Sequence, residues 1–78
     1  MSPDIRALIE TFTSGADTSI TNANALEVAL DLAYPENEYV QETVVMLAMY
    51  RPGGGEFLFD EEAICGRLAE TLRYLEGK

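Results

Sequence analysis

The clearest structural signal in the chain is the stretch DEEAICGRLAETLRYLEG, residues 60–77. Asp60 can cap a helix whose first turn holds Glu61 and Glu62, because acidic side chains near a helix N-terminus complement the helix dipole. An apolar seam of helical period follows, and it consists of Ile64, Leu68, Leu72 and Leu75. We therefore predict a helix near residues 60–76.

The same helical period, followed back toward the N-terminus, predicts three earlier helices, near residues 3–13, 20–33 and 36–50. The second ends at Tyr34, since the residue before a proline is disfavoured in the helical conformation and residue 35 is Pro35. Small residues recur on its expected contact face, which comprises Ala25, Leu26, Ala29, Leu30 and Ala33. This stripe allows a neighbouring helix to approach closely.

The third predicted helix is apolar around so much of its circumference that we expect it to be the most buried element and the centre of the bundle. A glycine-rich segment, residues 51–56, follows it, and then a short extended apolar stretch in which Phe57 and Phe59 close one end of the core. The pattern predicts an all-α fold, a compact four-helix bundle-like single domain over residues 1–78.

Length and composition indicate a small folded protein. The chain has 78 residues, of which 47% are hydrophobic and 24% are charged, and this is the composition of a globular domain. Its single cysteine, Cys65, excludes an internal disulfide, and we expect this residue to be a small core side chain. The N-terminus lacks a secretory signal pattern, and no apolar run is long enough to span a membrane. We therefore expect a cytoplasmic protein with no membrane partner.

The distribution of charge is the main functional signal. The chain has a formal net charge of -9, and it contains no Lys, Arg or His between Arg6 and Arg51. The acidic residues inside that interval are Glu10, Asp17, Glu27, Asp31, Glu36, Glu38 and Glu42. An acidic surface repels nucleic acid and anionic membranes, so the composition favours a basic protein as the direct partner.

Two acidic pairs have the spacing that brings like charges together on a helix, Glu27 with Asp31 and Glu38 with Glu42. A basic partner is one reason to tolerate this repulsion. The alternative interpretation is a solvated acidic surface, and for Glu36 and Glu38 the helix dipole offers a further structural reason. The candidate partner-binding residues are Glu27, Asp31, Glu36, Glu38 and Glu42, with Tyr50, Glu56 and Asp60 as a second edge. Tyr50 and Tyr34 are equally consistent with core aromatic residues.

The residue inventory argues against catalysis. The chain has no His, a single Cys and a single Lys at its C-terminus, so the usual nucleophile and general-base constellations cannot be assembled. The glycines 53–55 are not followed by the Lys and Ser or Thr of a phosphate loop. We therefore expect a protein that is not an enzyme and that uses no cofactor and no metal.

The second half of the chain resembles a known family. The features are Val44-Val45-Met46-Leu47-Ala48-Met49-Tyr50-Arg51-Pro52, a Gly-rich connection, Asp60-Glu61-Glu62, and a last helix ending Leu72-Arg73-Tyr74-Leu75. They are similar to the colicin D immunity-like group of bacteriocin self-protection proteins. In that group a buried helix ends in an aromatic residue and a proline, and a polar loop, an acidic cap and an amphipathic last helix follow. Ile9-Glu10-Thr11-Phe12-Thr13-Ser14-Gly15 resembles the end of the group's first helix.

The resemblance implies a small helical inhibitor that occludes the basic active-site groove of a tRNA-cleaving nuclease toxin, as a monomer or weak dimer. Its carboxylates would stand where the RNA phosphates lie. A different class also fits the charge, namely an acidic nucleic-acid mimic or regulatory binder such as a phage anti-defence protein. A third interpretation, an oligomeric structural module that associates through the third helix, predicts self-association.

Overall fold

The computed structural model describes residues 3–56 and 58–77, and the described residues form four helices. They are α1 (Pro3–Thr13), α2 (Ile20–Ala33), α3 (Glu38–Ala48) and α4 (Glu61–Glu76). The described part of the chain contains no strand, only two isolated bridges, so the predicted all-α fold is confirmed. No helix among these residues has both the length and the apolar character needed to cross a membrane.

Local capping sets most of the helix ends. The amide of Asn22 donates to Ser19 Oγ over 3.1 Å, and this bond caps the start of α2. Gly15, two residues after the end of α1, adopts a φ of +82°, a left-handed conformation that favours glycine. At the start of α4, Asp60 Oδ1 accepts from the amide of Ala63 at 2.9 Å, as the sequence predicts.

The prediction for α3, residues 36–50, was too long at both ends. Asn37 is the N-terminal cap, since its Oδ1 accepts from the amide of Val40 at 3.1 Å, so Glu36 lies in the preceding turn. At the other end the chain leaves the helix to pair with Phe59. The Phe59 amide donates to the carbonyl of Met49, and the Arg51 amide donates to the carbonyl of Phe59.

Each helix packs on two neighbours, in the cyclic order α1, α2, α3, α4 and back to α1. The four helices enclose one core cluster, which consists of Ile5, Ile9, Phe12, Ala23, Leu26, Leu30, Val40, Leu47, Tyr50, Ile64, Leu68 and Leu75. Phe59 packs against this cluster, while Phe57 lies outside the described residues. Leu68, which the apolar seam of the last helix predicts to be in the core, is buried there, and so is Leu47 on α3.

The expectation that the third helix is the centre of the bundle was wrong, because α3 packs on two neighbours just as each other helix does. Only Val40, Thr43 and Leu47 are buried on α3, and Val45 is 57% exposed. A helix with two neighbours in a ring of four must leave one side in solvent, whatever side chains it carries there. The predicted contact stripe of α2 was wrong at Ala25 and Ala33 for the same reason, since both residues are exposed.

Candidate functional site

The acidic residues of α3 lie on its outward side. Glu38 and Glu42 are separated by one helical turn and are both exposed, and Glu36 is exposed in the turn before the helix. The core-facing residues Val40 and Leu47 are on the opposite side of the helix. Three of the predicted carboxylates therefore point into solvent at one end of α3.

The acidic residues of α2 border this surface. Gln41 Nε2 donates to Asp31 Oδ1 and to the carbonyl oxygen of Tyr34, each over 3.1 Å, so α3 runs back beside α2. Glu27 is one helical turn before Asp31 and is half-buried. These contacts bring the acidic residues of α2 alongside those of α3. We call Glu27, Asp31, Glu36, Glu38 and Glu42 the acidic face.

A cation from the last helix lies beside the acidic face, and the sequence reasoning missed it. Arg67 Nη2 is 3.5 Å from Glu42 Oε2, and the guanidinium lies 4.0 Å above the ring of Tyr39. The Arg67 side chain is 17% exposed, whereas that of Glu42 is 73% exposed. The interval between Arg6 and Arg51, which has no Lys, Arg or His in the sequence, therefore has a positive charge beside it in space. The sequence does show Arg67 in the last helix, and this helix packs on α3. An arginine there could have been considered as a partner for the acidic residues of α3.

The predicted second edge is not a continuous surface. Asp60 is committed to capping α4, although it remains exposed, and Glu56 is exposed in the glycine-rich loop. Tyr50 is 7% exposed, its ring meets that of Phe12 edge-on with centroids 5.2 Å apart, and its hydroxyl donates to the carbonyl oxygen of Thr18. The structure therefore places Tyr50 in the core rather than among residues that a partner can reach.

Exposed apolar side chains accompany the acidic face, and these too were missed. The large hydrophobic residues exposed in the described structure are Ile20, Val28, Leu32, Val45, Met49 and Leu58. All except Leu58 belong to α2, to α3 or to the residue that caps α3. For Val45 and Met49 the signal was the continuous apolar run of the third helix, which predicts burial only where a neighbouring helix covers it.

The described residues show neither a metal-holding cluster nor a pocket. These residues contain no group of three or more His, Cys, Asp or Glu side chains that could hold a metal ion, and no pocket opens between them. The Cys65 thiol is half-buried and donates weakly to the carbonyl oxygen of Phe12 at 3.7 Å. Burial raises the pKa of this thiol, and the nearby Glu61 carboxylate raises it further, so the thiolate is disfavoured.

The arrangement can therefore offer a partner exposed carboxylates and apolar side chains on one two-helix layer. A positively charged surface is its natural complement. Comparison of the chain with protein-family models, with curated proteins and with solved structures found no match.

Proposed function

We propose that this chain is an immunity-type inhibitor that binds the basic active-site groove of a cognate nuclease toxin and blocks it by occlusion. The toxin class implied by the sequence resemblance is a nuclease that cleaves transfer RNA. The inhibitor performs no chemistry in this proposal. It acts by occupying the surface on which the RNA backbone would otherwise lie.

The observation that supports the proposal is the acidic face. Four of its five members, Asp31, Glu36, Glu38 and Glu42, are exposed, and within the described residues only Glu42 forms an ion pair, with Arg67. A groove that binds RNA phosphates must be basic, so a protein that fills it must be acidic. Complementary charge also steers the two proteins together and speeds their association.

The test begins with the neighbouring gene, because an immunity gene lies directly downstream of its toxin gene. The product of the upstream reading frame is purified and its cleavage of transfer RNA is measured while this chain is added. Inhibition should be complete at one molar equivalent and should not be relieved by a moderate excess of RNA. Full nuclease activity in the presence of excess chain would overturn the proposal, as would an upstream product with no nuclease activity.

An unrelated basic ribonuclease serves as the specificity control. An immunity-type inhibitor should leave this enzyme active at concentrations that silence the cognate nuclease, because apolar contacts and shape as well as charge select the partner. Equal inhibition of both enzymes would instead favour the acidic nucleic-acid mimic. Self-association in sizing experiments, with no effect on either enzyme, would favour the oligomeric module.

A further inference from the structure

The exposed apolar side chains of the molecule are concentrated on one layer. Leu32 is 77% exposed, and Val28 and Val45 are each 57% exposed. Apolar residues scattered singly over a surface are ordinary, but several exposed apolar side chains on two adjoining helices, with polar residues around them, are typical of an interaction site. We define the apolar patch as Val28, Leu32, Val45 and Met49.

Helix geometry places the apolar patch and the acidic face on the same side of the molecule. On α3, Val45 follows Glu42 by three residues and Met49 follows it by seven, so all three lie on the outward side. The N-terminal half of that side is therefore acidic and its C-terminal half is apolar. This is a surface of mixed character and not a purely charged one.

Acidic and apolar side chains are also close together on α2. Val28 and Leu32 are one helical turn apart, and Asp31 lies between them and α3, where it accepts from Gln41. Because α3 runs antiparallel to α2, Leu32 is beside the acidic end of α3, and the apolar end of α3 is beside the start of α2. Val28, Leu32 and Val45 therefore each have a carboxylate on the same or an adjacent helical turn.

The mixture of acidic and apolar side chains on α2 and α3 determines which kind of partner can bind there. A second copy of the chain, with its own charge of -9, would place carboxylates against carboxylates wherever the apolar patches met. Nucleic acid and anionic membrane surfaces are repelled in the same way. A protein surface with apolar side chains flanked by Lys or Arg can contact the apolar patch and pair with the acidic face at the same time.

We infer that the α2–α3 layer binds a basic protein surface by burying Val28, Leu32, Val45 and Met49, with the acidic face as a charged rim. This inference rests on the proposed function, and it adds that the partner groove must itself carry exposed apolar side chains. The charged rim sets the association rate, whereas the buried apolar contacts set the dissociation rate.

The test uses two synthetic peptides of equal length and equal Lys and Leu content. One has its leucines at helical spacing, and the other is a scrambled sequence of the same charge. A length of about 14 residues gives a helix about 21 Å long, the length of α2. Binding to the full chain is measured by calorimetry, and the contact surface is mapped by amide chemical shifts.

The amphipathic peptide should bind at least about tenfold more tightly than the scrambled peptide. Its shift changes should cluster at the apolar patch. The double variant Leu32→Gln/Val45→Gln keeps the net charge and should lose about tenfold or more in affinity. The matched control is Leu58→Gln, because Leu58 is 38% exposed but lies outside α2 and α3, and it should bind as the unmodified chain does.

Equal affinity for the two peptides would overturn the inference, as would shift changes away from α2 and α3 or unchanged binding by the double variant. A dimer in sedimentation equilibrium that Leu32→Gln/Val45→Gln dissociates would assign the layer to a second copy, and this too would overturn it. Far-ultraviolet circular dichroism confirms that each variant is folded.

The nuclease assay separates this inference from the proposed function. If the cognate nuclease is inhibited equally well by the chain and by Leu32→Gln/Val45→Gln, the inference is wrong while the proposed function stands. If the peptides behave as expected but no upstream nuclease is inhibited, the proposed function is wrong while the docking surface stands.

Discussion

Arg67 Nε donates a 2.8 Å hydrogen bond to the hydroxyl oxygen of Thr43, and this bond joins α4 to α3. The same hydroxyl is 3.0 Å from that of Thr71, and both threonines are fully buried. Arg67 also donates from Nη2 to the carbonyl oxygen of Tyr39 at 2.9 Å. The contact between α3 and α4 therefore contains a buried polar network in which the same arginine also pairs with the acidic face.

Replacing Arg67 with methionine should destabilise the protein by about 1–3 kcal/mol, because Thr43 loses a charged donor and the ring of Tyr39 loses its cation. Urea unfolding measures this change. A double-mutant cycle with Thr43→Val should give a coupling energy of about 0.5–3 kcal/mol, since the two side chains are in direct contact. A coupling energy of zero would show that the hydrogen bond contributes nothing to stability.

Truncating Leu68, which is fully buried, to alanine should cost roughly 2–5 kcal/mol of unfolding free energy. Lost transfer free energy and the cavity that remains both contribute. In a domain of this size such a loss can unfold the protein at room temperature. Leu32→Ala is the control on an exposed helix position, and it should change stability by no more than about 0.5 kcal/mol. Similar losses at the two positions would contradict the placement of the core.

Reversing charge on the acidic face should weaken the cognate complex far more than reversing charge elsewhere. Glu38→Lys/Glu42→Lys and Glu70→Lys/Glu76→Lys change the net charge equally. Each pair also removes one ion pair, Glu42 with Arg67 at 3.5 Å or Glu76 with Arg6 at 3.2 Å. The first double variant should lose several kcal/mol of binding free energy, and the second should lose little.

Calorimetric titration with the cognate nuclease compares these two variants. Free-protein stability should shift by only about 1 kcal/mol or less in each case, because exposed ion pairs contribute little. If both variants weaken the complex to the same degree, bulk charge and not the acidic face determines binding.

Raising the salt concentration should slow association with the cognate nuclease and leave dissociation comparatively unchanged. Four of the five residues of the acidic face are exposed, so ions screen the attraction of their carboxylates for an approaching partner within about 8–10 Å at physiological ionic strength. Stopped-flow or surface-based kinetics between low and moderate salt measures both rates. An association rate that is indifferent to salt would count against electrostatic steering.

Stability should fall in the alkaline range. Burial raises the pKa of the Tyr50 hydroxyl and of the Cys65 thiol, so the unfolded chain releases both protons at lower pH than the folded protein does. This stabilisation is fully present below the unfolded pKa values and is lost as pH rises through the folded values. Cys65→Ala should reduce the alkaline loss in urea unfolding measured at neutral and alkaline pH. An unchanged pH profile in that variant would exclude Cys65 as a contributor.

Much of the fold could be predicted because helix ends depend on neighbouring residues. The caps at Ser19 and Asp60 each involve an amide three residues further along the chain, so the necessary side chains are visible in the sequence. The start of α3 was placed wrongly because Pro35 and Asn37 both offer a helix start. The helix begins after Asn37 because the side chain of this residue accepts a hydrogen bond from the amide of Val40.

The candidate site could be predicted only in part. The acidic residues were identified from their spacing, and the structure exposes most of them. The side chains that modify their environment were not predicted, because they come from distant positions: Arg67 pairs with a residue 25 positions earlier, and Tyr50 bonds to Thr18 across 32 positions. Nothing in the local pattern around either residue specifies those partners.

The sequence by itself determined four helices, the cap at Asp60 and a strongly acidic chain, because these follow from side-chain type and from spacing over a few residues. The tertiary structure alone decided which side of α3 faces solvent, that Tyr50 belongs to the core and that Arg67 borders the acidic face. The physical reason is that a helix with an apolar surface all around can be buried only where neighbours cover it. The packing of α2 and α4 leaves Val45 and Met49 exposed.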